Sequence, residues 1–156
     1  MRRKRNVKRD IAPDYKYNNT LVAKFINYLM EDGKKSVAQK IFYGAFEHIE
    51  KNNKGKDALE VFDLAIKNTS PVVEVRSRRI GGARYQVPRE VRGERKIALS
   101  FRWIIQAAQS GKGNPMYQRL AQEFLNAANN EGIAVKKKEE THKIADANKA
   151  FAHFGW

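Results

Sequence analysis

Residues 73–92 read VEVRSRRIGGARYQVPREVR, six arginines in twenty residues with two adjacent glycines near the middle. Val72, Val73, Val75, Ile80, Tyr85 and Val87 are strand formers. Gly81 and Gly82 supply the positive φ angles that a two-residue hairpin turn requires. Residues 72–89 therefore read as a β-hairpin. With the turn at Gly81-Gly82, Arg79 faces Arg84 and Arg78 faces Tyr85 across the ribbon. Directly opposed like charges destabilise such a pair, and an isolated two-stranded hairpin is only marginal in water. An arm of this kind has to lean on other elements and have its charge neutralised by something else.

The rest of the chain reads as helix. Leu21, Val22, Phe25, Ile26 and Leu29 recur on one face until Asp32-Gly33 stops the run. Val37, Ala38, Ile41, Phe42, Ala45, Phe46 and Ile49 mark a second helix, closed by the polar loop KNNKGK. Asp57, with Glu60 three residues on, has the form of a capping box and opens a third along Leu59, Phe62 and Ile66, which ends before Pro71. After the hairpin, Ile97, Phe101, Ile104, Ile105 and Ala108 define a fourth helix. Asn114-Pro115 reads as a cap and first residue for a fifth, closed by Gly132, and a sixth starts near Ala134 and runs toward the aromatic end FAHFGW. The expected fold is mainly α: one domain over residues 1–156, with six helices, a β-hairpin protruding between the third and fourth, and a basic disordered tail over residues 1–12.

Charge points to the partner. The formal net charge is +14, and residues 1–9 and 76–96 each carry +6 of it. Charge that only kept the chain soluble would be spread over every helix. Concentrated in a tail and an arm, it attracts polyanions. Guanidinium forks at Arg76, Arg78, Arg79 and Arg84 match phosphate oxygens and base edges, and glycines at the tip admit a close backbone approach. Tyr85 reads two ways, as a ring that stacks on an unpaired base or as one that packs the hairpin to the domain. Lys136, Lys137 and Lys138 beside Glu139 and Glu140 read as a solvated helix face.

Other chemistry is weakly represented. The sequence has no cysteine, which removes disulfides and thiolate chemistry and suits a reducing compartment. His48, His142 and His153 have no neighbour at metal-ligand spacing, and the glycines at 111 and 113 lack the pattern of a phosphate-binding loop. No apolar run approaches a membrane span. A soluble, cytoplasmic, non-enzymatic protein without metal or cofactor is expected. The competing reading is a non-specific DNA-compacting protein with a β-arm in the minor groove, but such an arm uses an apolar wedge where this tip has Ile80-Gly81-Gly82-Ala83.

The strings LVAKFINYLMEDGKKSVAQKI, SPVVEVRSRRIGGARYQVPREVR and KKKEETHKIADANKAFAHFGW resemble three signatures of the bacterial-type small ribosomal subunit protein seven family, in order and over essentially the whole chain. The resemblance implies six helices with a hairpin between the third and fourth. It implies a structural constituent of the small ribosomal subunit: a primary binder of its ribosomal RNA that nucleates assembly of the head, lying by the cleft for messenger and exit-site transfer RNA. Small-subunit protein eleven and other head proteins would be neighbours, and some members repress their own operon. Carried over by position, the RNA-binding surface would comprise Arg2, Arg3, Lys4, Arg5, Lys8 and Arg9 of the tail, with Lys34 and Lys35 of the MEDGKK turn. From the arm it would take Arg76, Arg78, Arg79, Gly81, Gly82, Arg84 and Tyr85, and from the start of the fourth helix Arg92, Arg95 and Lys96. The chain departs from the family pattern at Tyr15, Arg84, Arg89, Ala107-Ala108-Gln109 and Gly155.

Overall fold

The computed structural model describes residues 10–52 and 57–154. Among them are six α-helices, α1 (Thr20–Leu29), α2 (Lys35–Asn52), α3 (Ala58–Thr69), α4 (Gly93–Ser110), α5 (Met116–Ala128) and α6 (Ile133–Ala147). Strands β1 (Val73–Ile80) and β2 (Ala83–Glu90) form an antiparallel hairpin between α3 and α4, and a short 3₁₀ helix, η1 (Lys149–Phe154), follows α6. The six helices and the position of the hairpin agree with the sequence reading. Of the basic tail expected over residues 1–12, residues 1–9 lie outside the described residues, as do most of the KNNKGK loop and the terminal Gly155-Trp156.

Backbone contacts divide the chain into two compact units, one ending at Gln39 and one starting at Lys40. In the first, Asp14 organises the entry to α1: its carboxylate accepts the N–H groups of Lys16 and Tyr17 at 3.1 and 3.2 Å. Asn19 then caps α1 by accepting from the Leu21 N–H at 2.7 Å. Val22, Phe25, Ile26 and Leu29 are the buried stripe that the spacing predicts. The helix gives way to Asp32 and Gly33, whose φ angles of 52° and 72° break the right-handed path.

The second unit is built on phenylalanine. Phe42 and Phe46 of α2, Phe62 of α3, Phe101 of α4 and Phe124 of α5 are all fully buried. Phe62 is the hub, with ring centroids 5.6 Å from Phe42, 5.8 Å from Phe46, 5.5 Å from Phe124 and 6.4 Å from Phe101. Most of these pairs meet edge to face, the arrangement that the ring quadrupole favours. Asp57 caps α3 as expected, accepting from the Leu59 N–H at 3.0 Å.

Polar side chains then lock the helix ends to one another. The hydroxyls of Thr69 and Ser100 lie 2.5 Å apart in the core, and Thr69 also donates to the Ala65 carbonyl, so the end of α3 is joined to α4 about two turns inside that helix. Asn68 donates to the carbonyls of Ala127 and Ala128 at the end of α5, both at 2.9 Å. Lys138 donates to the Asn68 carbonyl at 2.6 Å. Lys138 is thus anchored, whereas Lys136 and Lys137 keep the solvated position expected of all three.

Two expected helix boundaries are displaced. Pro115, not Asn114, is the cap of α5: its ψ of 152° is extended, and its carbonyl accepts from the N–H groups of Gln118 and Arg119. The proline ring fixes φ but not ψ, so it can stand outside the helix as well as in its first turn. Gly132 does not close α5. Asn130, with a φ of 61°, takes the left-handed position, with Asn130 and Glu131 N–H groups returning to the carbonyls of Ala127 and Asn126. Gly132 instead begins α6 with a φ of 98°, and a Cβ there would stand 2.8 Å from the Glu123 carboxylate.

That carboxylate accepts the Ala134 N–H at 2.9 Å, satisfying the start of α6 with a charge from α5. Glu123 is only 6% exposed, and desolvation raises its pKa although the amide bonds oppose the shift. A raised folded-state pKa means that its contribution to stability is full below the unfolded value, near 4.5, and is lost as pH rises through the folded one. Glu123→Gln keeps an oxygen for the Ala134 amide and removes the charge. Urea denaturation of both proteins from pH 4 to 7 should show the variant gaining stability relative to wild type as pH rises. A difference that does not change with pH would contradict this account.

Candidate nucleic-acid interface

The turn at the hairpin tip follows from glycine chemistry: Gly81 and Gly82 have φ angles of 56° and 92°, both in the region a side chain disfavours. The turn fixes the register, and Arg79 opposes Arg84 while Arg78 opposes Tyr85, as the sequence predicts. Residues directly opposite share a face, so the register divides the arm into two different surfaces.

One surface is packed. It carries the rungs Arg78 with Tyr85 and Arg76 with Val87; Val87 is buried, and Arg78 and Tyr85 are half-buried. The Tyr85 ring lies 5.1 Å from Phe151 and 5.7 Å from Phe154, both in η1. Of the two readings of Tyr85, packing is the one seen here. Its partners were hard to find because they lie more than sixty residues away in sequence, although the F-x-x-F spacing at 151 and 154 puts both rings on one side of a short helix.

The other surface is open. Arg79 with Arg84 forms its outer rung, Ser77 with Gln86 the next, and all four side chains are exposed. Half-buried Val75 and Pro88 follow, and Val73 with Glu90 forms the rung nearest the helices. The arginines of the arm are therefore distributed: Arg79 and Arg84 stand on the free face, whereas Arg78 shares the packed face with Tyr85.

At the hairpin root a cleft of about 360 Å³ gathers Arg76, Arg89, Arg92 and Arg95 with Glu74 and Glu90. Arg95 donates through Nε to Glu74 at 3.1 Å, tying α4 to β1. With Arg95 about half exposed, that pair contributes at most about 1 kcal/mol. Arg92 is the N-terminal cap of α4 but offers no side-chain bond to it. Arg92, Arg95 and Lys96 thus crowd cations at the positive end of a helix, where only Glu94 complements the dipole. This arrangement is unfavourable by itself and favourable once an anion is present. Arg89 joins the cleft although it was not among the residues singled out; its alternation with Val87 on β2 was the available signal.

The remaining predicted residues are separate. Lys34 pairs with Asp32 at 3.5 Å on an exposed turn, and Lys35 opens α2, also exposed. Arg2, Arg3, Lys4, Arg5, Lys8 and Arg9 lie outside the described residues. His142 contributes no metal site; its Nε2 accepts the Val72 N–H at 3.2 Å, holding the root of β1 to α6. No cluster of three metal-ligating side chains occurs among the described residues, and no helix among them is long and apolar enough to cross a membrane.

If η1 holds the arm, Tyr85→Ala should leave the helices intact and free the ribbon. Helical circular dichroism should be unchanged, while amide exchange across β1 and β2 should speed up by about tenfold or more. Unchanged exchange in the strands would show that the rings are incidental.

Comparison with known proteins agrees with this geometry. Residues 1–149 match the family model described as ribosomal protein S7p/S5e. The chain is 57% identical to the small ribosomal subunit protein uS7 of Francisella tularensis subsp. holarctica (strain OSU18), over 155 residues and 99% of both chains. It is 56% identical to the uS7 proteins of Thermotoga neapolitana and Thermotoga maritima over 156 residues, the full length of each. Family match, full-length similarity and the helical body with its charged hairpin agree, and the chain belongs to the ribosomal protein S7p/S5e family.

Proposed function

We propose that the protein is an RNA-binding structural constituent of the small ribosomal subunit, acting in the cytoplasmic ribosome and catalysing no reaction. The observation that carries this reading is the open face of the hairpin, where Arg79 and Arg84 oppose each other with no acid on their rung, in a chain of this family. Two guanidinium groups held face to face repel each other in the free protein, and phosphate oxygens relieve the repulsion. The crowded cations at the start of α4 follow the same logic.

We further propose that the protein is a primary binder of small-subunit ribosomal RNA that nucleates assembly of the head. The arm and the cleft at its root engage the RNA backbone, and the tail from Arg2 to Arg9, with Lys34 and Lys35, adds further phosphate contacts. The hairpin reaches toward messenger and exit-site transfer RNA, and the C-terminal part adjoins small-subunit protein eleven. Support for this rests on family membership and on the division of charge along the chain. A DNA-compacting role gains no support from the tip: its one large apolar side chain, Ile80, is half-buried and lies on the packed face with Tyr85 rather than standing free as a wedge between base steps.

Binding should be measured to the head domain of small-subunit ribosomal RNA across a salt series, with unrelated RNA and duplex DNA as competitors. The ribosomal fragment should be retained selectively. Arg79→Ala with Arg84→Ala should reduce the slope of log affinity against log salt by about two, one for each lost phosphate contact. An unchanged slope would remove these arginines from the interface.

A further inference from the structure

We infer that the rung formed by Ser77 and Gln86 discriminates RNA from DNA by hydrogen bonding in the minor groove of an RNA helix. The inference deepens the RNA-binding reading above and rests on it. The register places Ser77 directly opposite Gln86, on the same face as Arg79 and Arg84 and one rung nearer the helices. Both side chains are exposed, and the hairpin's aromatic ring, Tyr85, is on the other face against Phe151 and Phe154.

The chemistry of the open face follows from this arrangement. Without a ring it offers no stacking platform, so it reads nucleic acid through hydrogen bonds and charge alone. Rungs two residues apart on one face are separated by about 6.8 Å, and the two strands by about 4.8 Å, which makes a narrow ribbon bearing cations at its tip and neutral polar groups behind them. The A-form major groove is too deep and narrow for such a surface. Its minor groove is wide and shallow and displays 2′-hydroxyls beside the base edges. A serine hydroxyl and a glutamine amide each donate and accept, as a 2′-hydroxyl does, so the pair can satisfy it in either orientation. Arginines at the tip take phosphates and carry no information about the sugar. The polar rung carries it.

The two contributions separate in one experiment on the full-length protein. Affinity is measured for the head-domain ribosomal RNA fragment, and for copies in which its nucleotides are 2′-deoxy, across a salt series. Ser77→Ala with Gln86→Ala should lower affinity for the ribose fragment about tenfold, leave the deoxy copies unaffected, and preserve the salt slope. Ser77→Thr, which keeps the hydroxyl, should keep the preference for ribose. Strand amide exchange in each variant establishes that the hairpin has kept its register.

Equal losses on ribose and deoxy fragments, or no loss on either, would overturn the assignment of the rung while leaving the RNA-binding reading in place. A wild-type protein that binds the ribosomal fragment no better than unrelated RNA would overturn both.

Discussion

The contact of Tyr85 with Phe151 and Phe154 is the interaction on which the arm depends. Two strands cannot support themselves in water, and this pair must also carry Arg79 against Arg84 at its tip. Rings from the C-terminal 3₁₀ helix provide what the ribbon lacks, an apolar surface against which one face is partly withdrawn from solvent. Val87, buried on the same face, and the bond from the Val72 amide to His142 extend that support to the root. Because one face is committed to packing, the other is free to display charge and hydrogen-bonding groups in a fixed order.

Support for the arm is only as firm as the helices beneath it. The five-phenylalanine cluster of the second unit joins α2, α3, α4 and α5, and truncating any of its rings would cost on the order of 3–5 kcal/mol. Each of its polar links ties one helix end to a neighbour: Thr69 at the end of α3 with Ser100, Asn68 with the end of α5, Glu123 with the start of α6. Each satisfies a backbone or hydroxyl group that burial would otherwise leave costly. The hairpin leaves α3 just past Thr69, and the bond from Thr69 to Ser100 ties that end of α3 to α4 about two turns after the hairpin feeds into it.

Much of this was legible in the sequence, for identifiable reasons. Helical stripes such as Val22, Phe25, Ile26 and Leu29 announce themselves by spacing, and two glycines flanked by strand formers fix both a turn and a register. Local chemistry was less decisive at the helix ends. Asn114-Pro115 and Gly132 are each compatible with two positions, and tertiary contacts chose between them: Gly132 is placed where it is because Glu123 occupies the space of its Cβ. Tyr85 was undecidable from its neighbours, since the rings that claim it belong to the far end of the chain. The division of the arginines between two faces follows from the register, but which face is open depends on η1. No pattern in residues 73–92 records that.

The central claim is that the packed face stays packed while the open face binds. It is tested most directly by nuclear Overhauser contacts between the Tyr85 ring and the rings of Phe151 and Phe154, recorded for the free protein and for its complex with the head-domain RNA. The account predicts the same contacts in both. Their loss on binding, with Tyr85 contacts to a nucleobase in their place, would show that the arm is released to stack on RNA and would contradict it.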